Sequence, residues 1–542
     1  MDRKSFLNAG ADEARVSAAA VTADRPRDGG GGPETARLHA RMLSEREASL
    51  KGRPEPTALP RLVTSGLDPY TPTAEKPWDK QRAGYLLRRT LFGAKRADID
   101  MALAKSPGEV VDMLLQTGTA PSSPGSWVSE DYYYDNTNSD RDNRTRMQEL
   151  REWWTGLMVN QEFSIREKMT FFWSDHWATE ALTVRQPHFN YWYIDLFRNN
   201  YLGNFRQMVK DVTISPAMLI YLDGWYNTKQ RPNENYAREL MELHTLGEGN
   251  GYTEQDIRAA AHALTGWTIK KTGTSPVGTN AYDPKEAEFI PARFDDSDKT
   301  FMDRTGNWGY EDIVDIIFAE RTRETATFIC RKIYREFVYE IADETIIGEL
   351  ADILINNDWN IRPVMATLLK SDHFFDTANI GCHITSPMEY YIGSIRQLDI
   401  ITDNYKYIYQ VCSALGCQLL EAPNVKGWPG YRTWISASRL ASRWSVSDEI
   451  VDGDMRSNPK FGVDAVAYAN GMADANNPRR LIQDILDYAV PLTLSTNQFE
   501  ILLDKLLAGA PEYEWNINLP GAEGKVKTLL KAVLRLSESQ LC

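Results

Sequence analysis

Four helix-start signatures constrain the fold of this chain more than any other feature of its sequence. In each, a Ser or Thr is followed three residues later by Glu or Asp, at the edge of an apolar stretch; they lie at 106–109 (SPGE), 164–167 (SIRE), 253–256 (TEQD) and 386–389 (SPME). In such a capping box, the hydroxyl and the carboxylate satisfy backbone donors that a helix start leaves free. Few segments alternate between polar and apolar residues. The sequence therefore predicts an all-α fold, a large multi-helix domain with long irregular inserts.

Three segments of the chain differ in their patterns. Residues 1–75 are rich in Gly, Pro and charge and have no sustained periodicity, which predicts a disordered leader or linker. Residues 76–450 carry most of the helical patterns and are predicted to form the main domain. Residues 451–542 are predicted to be a C-terminal helical extension packed on it. The stretch 269–306 has no helical period, and irregular segments of that length are often functional.

Charge and hydropathy restrict the partners of the chain. Its net charge is −14, from 61 basic and 75 acidic residues, so we expect no nucleic-acid partner, because phosphate binding needs clustered Lys and Arg. No apolar run approaches the roughly 20 residues of a membrane helix, which predicts that no segment spans a membrane. A small-molecule or otherwise unknown substrate and a protein partner both remain open.

The N-terminus and the cysteines bear on the compartment. Residues 2–7 (DRKSFL) are similar to the start of a twin-arginine export signal, with Lys in place of one Arg. The next residues are charged where a working signal has an apolar segment, so the pattern favours a cytoplasmic chain over an exported one. The five cysteines include no CxxC pair, which argues against a disulfide framework and against a cysteine zinc site.

Several stretches resemble the bacterial domain-of-unknown-function 1800 family. The resemblance covers roughly residues 80 to 445 and is most specific at 232–247 (PNENYARELMELHTLG); the other stretches are 86–93 (LLRRTLFG), 172–177 (FWSDHW), 251–256 (GYTEQD), 264–267 (LTGW), 299–301 (KTF), 304–307 (RTGN), 328–334 (FICRKIY) and 423–430 (PNVKGWPG). The resemblance implies a largely helical protein and no established reaction. The chain departs from the family pattern at 294–299, which lacks the His and Gly of His-Asp-x-Gly-x-Lys, and at Ser174, where relatives often carry His.

The stretch 232–247 supplies the first group of candidate site residues. On a regular helix, at about 100° per residue, Arg238, Glu239 and Glu242 share one face with Asn235. His244 falls about 160° from Glu242, so one regular helix cannot present both to the same metal. In one interpretation Arg238 and Glu242 form an ordinary i, i+4 ion pair on a solvent-facing helix. In the other, Glu239 and Glu242 face a buried polar site, where they bind a hard cation or divide acid and base roles.

His176 continues the apolar stripe of Met169, Phe172 and Trp173, as a buried core histidine would. Alternatively it is a metal ligand oriented by Glu180, four residues on. His176, His244 and an acidic residue from another helix could then converge as a zinc or non-haem iron site. We therefore predict His176, His244 and Glu239 as ligands of a divalent metal ion of unknown identity, and Glu239, Glu242 and Arg238 as catalytic residues.

Missing motifs and these candidates together define the functional hypotheses. The sequence contains no Walker loop, no GxGxxG after a strand, no GxSxG, no HExxH and no CxxCH. The first hypothesis is a metal-dependent enzyme with a polar pocket in a helical domain, with oxidative rather than hydrolytic chemistry. The alternatives are a non-catalytic helical scaffold or partner-binding protein, and a metal-free acid/base hydrolase.

Overall fold

Helices provide nearly all of the regular structure. The computed structural model describes residues 65–133, 141–270, 272–274, 287–453 and 462–542. Within these residues 22 α-helices occur beside six strands of three residues each, which confirms the predicted all-α class. Most of the predicted leader at 1–75 lies outside the described residues. No helix in the described ranges combines the length and apolar character that a membrane crossing requires.

The α-helices, in chain order, are α1 Lys80–Thr90, α2 Arg96–Leu103, α3 Pro107–Leu114, α4 Arg141–Val159, α5 Arg166–His176, α6 Ala181–Val184, α7 Pro187–Asn199, α8 Phe205–Thr213, α9 Pro216–Tyr221, α10 Asn235–Glu239, α11 Glu254–Ala263, α12 Tyr310–Glu320, α13 Thr322–Phe337, α14 Glu344–Asn356, α15 Ile361–Lys370, α16 Pro387–Gln397, α17 Tyr405–Ala414, α18 Ala437–Asp452, α19 Ala465–Asn470, α20 Pro478–Ala489, α21 Thr496–Leu507 and α22 Ala522–Leu534. The predicted boundary at 450/451 falls inside α18, which packs against α22, while α20 packs against α1.

Short antiparallel strand pairs occupy part of the predicted irregular insert. Strand β1 (Asp131–Tyr133) pairs with β3 (Thr272–Thr274), and β2 (Trp267–Ile269) pairs with β4 (Ala287–Phe289). A hairpin of β5 (Lys299–Phe301) and β6 (Arg304–Gly306) follows. Strands of three residues are too short to leave a period-2 signal, so the sequence indicated only an absence of helix here.

Three of the four predicted capping boxes form. In these boxes the side-chain hydroxyl accepts a hydrogen bond from the backbone N–H three residues later, and the carboxylate of that later residue accepts one from the backbone N–H of the capping residue. The capping residues are Ser106, Thr253 and Ser386. At Ser386, for example, the backbone N–H donates to Glu389 Oε2 at 2.7 Å. These boxes form because both partners lie within one helical turn.

The fourth predicted box, at Ser164, was wrong. Helix α5 begins at Arg166, and the Ser164 hydroxyl accepts from the Arg166 backbone N–H at 3.3 Å instead. The Glu167 carboxylate, which would complete the box, binds the Arg198 guanidinium of α7 through two hydrogen bonds of 3.0 and 2.9 Å. Both side chains are buried, and two charge-assisted hydrogen bonds in the core outweigh one helix cap.

The chain widens where the sequence predicted one regular helix. Helix α10 ends at Glu239, and a π-helix follows at Leu240–Thr245. The Leu246 N–H donates to the Met241 carbonyl at 2.9 Å, five residues back. An i→i+5 helix changes the angle between successive residues, so the predicted facing of His244 does not hold beyond Glu239. Such widened turns occur frequently at functional sites.

The segment before α1 is already packed on the domain. We expected order from about Pro77, but Tyr70 is buried and its backbone N–H donates to the Lys370 carbonyl at 2.8 Å. The Ser65 hydroxyl donates to Asp376 at 2.8 Å. This segment is extended and pairs with a distant residue, Ser371, through a single bridge, so it has no periodicity for the sequence to display.

Gly93 gives a test of this packing. A Cβ at Gly93 would lie 2.3 Å from the Gly393 Cα of α16, and its φ of +82° disfavours any L side chain. We expect Gly93→Ala to lower the free energy of unfolding by about 1–3 kcal/mol, because the backbones cannot separate without disturbing the core. Gly108→Ala is the matched control: nothing lies within 4 Å of that position in α3, so a gain of up to about 1 kcal/mol is expected. Calorimetry should give Tm shifts of opposite sign, and shifts of equal sign and size would contradict this account.

Candidate functional site

His176 and His244, two of the three predicted metal ligands, lie close together in the core. His176 ends α5 and His244 lies in the π-helix; their ring centroids are 5.7 Å apart, and both are buried. The Trp177 ring stacks on His244 at 4.3 Å. Burial, followed by the positive charge of Lys332, holds the pKa of both imidazoles well below the ordinary value, so both are neutral at pH 7.

Lys332 of α13 joins this pair. Its ammonium lies 3.0 Å from His176 Nδ1 and donates to the Leu243 carbonyl at 3.2 Å. His176 Nε2 and both ring nitrogens of His244 have no hydrogen-bond partner of good geometry among the described atoms, although the backbone of each histidine opposes the fall in the other's pKa. The partner of His176 is therefore Lys332 rather than the expected Glu180, because α5 ends at His176 and Glu180 lies beyond its last turn.

Asp175 lies beside this group and faces a glycine turn. Burial raises the pKa of Asp175 to about 7 and lowers the pKa of Lys332 to about 8. The attraction between the two opposite charges counteracts both shifts. Asp175 Oδ1 accepts from the Trp428 N–H at 2.6 Å. A Cβ at Gly427, whose φ is +83°, would lie 2.3 Å from that oxygen. Four of the family-like stretches, 172–177, 232–247, 328–334 and 423–430, thus meet here.

The third predicted ligand does not join the two histidines in this conformation. Among the described residues, one group of three potential ligands lies within 4.8 Å, and it consists of His383, Glu389 and Cys542. The Lys332 ammonium already contacts His176 Nδ1, and its positive charge would repel a metal cation at that nitrogen. The assignment of His176, His244 and Glu239 to a divalent metal stays a prediction.

Arg238 and Glu242 lie in a surface ion-pair cluster. Arg238 Nη1 is 3.4 Å from Glu242 Oε1, four residues on, and the guanidinium donates two hydrogen bonds of 2.8 Å to Glu254. Glu234 lies 3.4 Å away. This geometry corresponds to the solvent-facing i, i+4 interpretation, in which the pair stabilises the helix by a few tenths of a kcal/mol. Their catalytic role stays a prediction.

The charge of Glu239 acts on Tyr221 of α9. Burial raises the pKa of Tyr221, and the negative charges of Glu180, Glu239 and Glu421 raise it further. The Tyr221 hydroxyl donates to Glu180 Oε1 at 3.4 Å. Three glutamates from distant parts of the sequence therefore act on one tyrosine through their charges, and Glu180 also accepts its hydrogen bond.

Glu180 and Glu421 are paired through their backbones. Their backbones pair in an isolated antiparallel bridge, which places the two side chains next to each other. Glu421 accepts from Arg151 at 2.7 Å and from the Leu182 N–H at 3.1 Å. Burial raises the pKa of Glu421 to about 7; the Glu180 charge adds to this, and Arg151 opposes it.

A groove with basic walls adjoins Glu421. Helices α4, α6 and α17 border it, its volume is about 260 Å³, and no acidic residue is among its described lining. Arg151 and Leu182, the two partners of Glu421, belong to that lining. The other basic lining residues are Arg144, Arg185 and Lys406. Glu421 is thus connected to the groove wall through its hydrogen bonds with Arg151 and the Leu182 N–H.

The sequence indicated only some of the residues in these two clusters. Asp175 and Lys332 lie inside stretches that were singled out, but no spacing links residues of α5 and α13. Glu421 lies in no helical pattern, and its pairing with Glu180 across 241 positions has no local signal. Both sets became visible only once the chain was folded.

The buried histidines predict a pH dependence of stability. In the unfolded chain each takes up a proton near pH 6.5, whereas in the folded chain it does so only at much lower pH. The unfolded state binds more protons, so the free energy of unfolding should fall as the pH drops from 7 to 5. We expect His244→Phe, which keeps a ring against Trp177, to reduce that slope by up to about 1.4 kcal/mol per pH unit. Denaturant unfolding at both pH values tests this, and an unchanged slope would contradict it.

Comparison with known proteins gives one result. A family model described as "Protein of unknown function (DUF1800)" matches residues 85–540, which include all of the helices and side chains described above from α2 to α22. No curated protein and no solved structure matches the chain. The chain therefore belongs to the DUF1800 family.

Proposed function

We propose that this protein is a metal-free acid/base hydrolase whose reacting groups are Glu421 and Glu180. The observation that carries the proposal is the backbone pairing of Glu180 with Glu421: burial raises the pKa of Glu421 to about 7, and its hydrogen-bond partners Arg151 and Leu182 line the groove. Two neighbouring carboxyl groups in different environments can divide the acid and base roles of one reaction.

The roles follow from the environments of the two groups. Glu421, protonated, would donate its proton to the leaving-group oxygen of a substrate in the groove. Glu180 would take a proton from the attacking water, so that the bond to the leaving group breaks as the bond to the water oxygen forms. Glu239 would act through its charge on Tyr221, whose hydroxyl donates to Glu180.

The groove indicates an anionic substrate. Arg144 and Lys406 are exposed at the groove and form no ion pair with another described residue. The chain as a whole has a net charge of −14, whereas the described lining of this groove contains four basic residues and no acidic one. Carboxylate- or phosphate-bearing substrates would therefore be attracted to it more strongly than neutral ones.

A second candidate is the metal-dependent enzyme with a site at His176 and His244. The observation in its favour is that three of the four ring nitrogens have no hydrogen-bond partner among the described atoms, although both rings are buried. Buried polar groups normally have partners, so a ligand of these nitrogens would remove an uncompensated cost. Elemental analysis of protein purified without chelators, compared with His176→Ala, tests it: stoichiometric metal that is lost in the variant would favour this candidate.

The carboxylate pair can be tested by substitution. We expect Glu421→Gln and Glu180→Gln each to lower kcat/KM by about 10²–10⁴-fold on any substrate that the protein hydrolyses, because each removes a proton-transfer group. Glu239→Gln should also lower it. Glu242→Gln, which changes only the surface cluster, is the matched control and should keep full activity. The assay is a panel of chromogenic esters, amides, glycosides and phosphoesters in neutral and anionic forms. Full activity of Glu421→Gln and Glu180→Gln would refute the proposal, and an inactive wild type would favour the non-catalytic scaffold.

The proton on Glu421 also sets the expected pH profile. Because the acid must be protonated, kcat/KM should decline as the pH rises through about 7. The measurement is kcat/KM between pH 5 and pH 9 on an active substrate of the panel at constant ionic strength. A rate that stays constant from pH 6 to pH 9 would exclude Glu421 as the proton donor.

A further inference from the structure

We propose that His383, Glu389 and Cys542 bind a divalent metal ion of the zinc class, at a site separate from the glutamate pair. The inference does not depend on the proposed hydrolase function. Each of the three residues offers one ligand atom, and these atoms all lie within 4.8 Å of one another. An imidazole nitrogen, a carboxylate oxygen and a thiolate sulfur are ligands that Zn²⁺ accepts together.

Backbone pairing places two of the ligands side by side. The Cys542 N–H donates to the His383 carbonyl at 2.9 Å, and the His383 N–H donates to the Cys542 carbonyl at 3.3 Å. Glu389 is fixed separately, as the third residue of α16, by its capping box with Ser386. The site is therefore held by elements that form without a metal, and the ion would cross-link residue 542 to the start of α16.

The spacing of the ligand atoms suits a tetrahedral ion. His383 Nε2 and Glu389 Oε2 are 3.7 Å apart, which is too long for a hydrogen bond. In a tetrahedron with bonds of about 2.1 Å, neighbouring ligand atoms lie about 3.4 Å apart, so a small contraction would place an ion between them. Glu389 and Cys542 are buried, and the His383 side chain is 14 % exposed, which leaves an entry path.

Two cationic side chains contact the ligands from outside. Arg89 Nη1 donates to Cys542 Sγ at 3.1 Å, and Lys168 donates to Glu389 Oε1. Outer-shell donors of this kind orient ligands and favour the deprotonated forms that a metal requires. Sequence spacing could not indicate the site, because its ligands come from two distant places in the chain, 383–389 and residue 542, rather than from a CxxC pair.

The charges leave room for two descriptions of this cluster. With a thiolate, the negative charges are those of Cys542, Glu389 and Glu336, against the positive charges of Arg89 and Lys168, so one negative charge is in excess. A divalent ion would then leave one positive charge. With a protonated thiol and no metal, the same groups balance to zero as a closed ion-pair network. Metal binding distinguishes the two descriptions.

The test is metal uptake by the full chain. The protein is purified without chelators or an affinity metal, its metal content is measured, and it is then titrated with Zn²⁺ and separately with Co²⁺. We expect one equivalent to bind, with the near-ultraviolet thiolate-to-cobalt absorption that reports a cysteine ligand. Cys542→Ser should lose that absorption, and His383→Gln should lose most of the bound metal. Cys382→Ser is the matched control, because Cys382 neighbours His383 but its Sγ donates to the Asn379 carbonyl at 2.9 Å.

Three outcomes would overturn the proposal. A wild-type chain that binds neither ion at micromolar concentration would show that the cluster is an ion-pair network. Cobalt binding without thiolate absorption would exclude Cys542. Metal that is retained in Cys542→Ser and lost in His176→Ala would belong to the two core histidines. Because the cobalt spectrum is read on the wild type, the test does not depend on the variants folding.

Discussion

Helix α5 carries adjacent charges, Glu167 and Lys168, into the core, and much of the interior is arranged to pair them. Burying an isolated charge costs several kcal/mol, so each needs a partner with good geometry. Arg198 of α7 supplies two hydrogen bonds to Glu167, and Glu389 of α16 binds Lys168. These contacts set the positions of three helices against one another. They also explain why the charged residues at the start of α5 resembled an exposed helix start in the sequence, although they are buried in the core.

The same helix ends at two residues whose pKa values are strongly shifted by burial. Asp175 and His176 close α5, Lys332 reaches them from α13, and the π-helix delivers His244. A regular α-helix would have directed His244 elsewhere, so the widened turn is what brings the two imidazoles within 5.7 Å. In this region packing constrains the backbone more than local propensity does.

The glutamate cluster depends on a different kind of contact. A single antiparallel bridge joins the segment after α5 to the loop before 423–430, and this places Glu180 beside Glu421. Neither residue lies on a helix that would fix its direction. Desolvation and the neighbouring charge raise the pKa of Glu421, whereas Arg151 keeps the carboxyl from being buried without a partner. A bridge between loops thus creates the carboxyl pair on which the proposed chemistry rests.

The sequence alone determined the features that depend on neighbours within one helical turn. Capping boxes at Ser106, Thr253 and Ser386, the all-α class, and the Arg238–Glu242 contact follow from spacings of three or four residues, because a helix brings such residues together wherever it forms. Only the tertiary structure decided which distant groups meet. The Glu167 carboxylate could complete a helix cap at Ser164 or pair with the distant Arg198. It pairs with Arg198, because an unpaired charge in the core costs more free energy than an unsatisfied helix end.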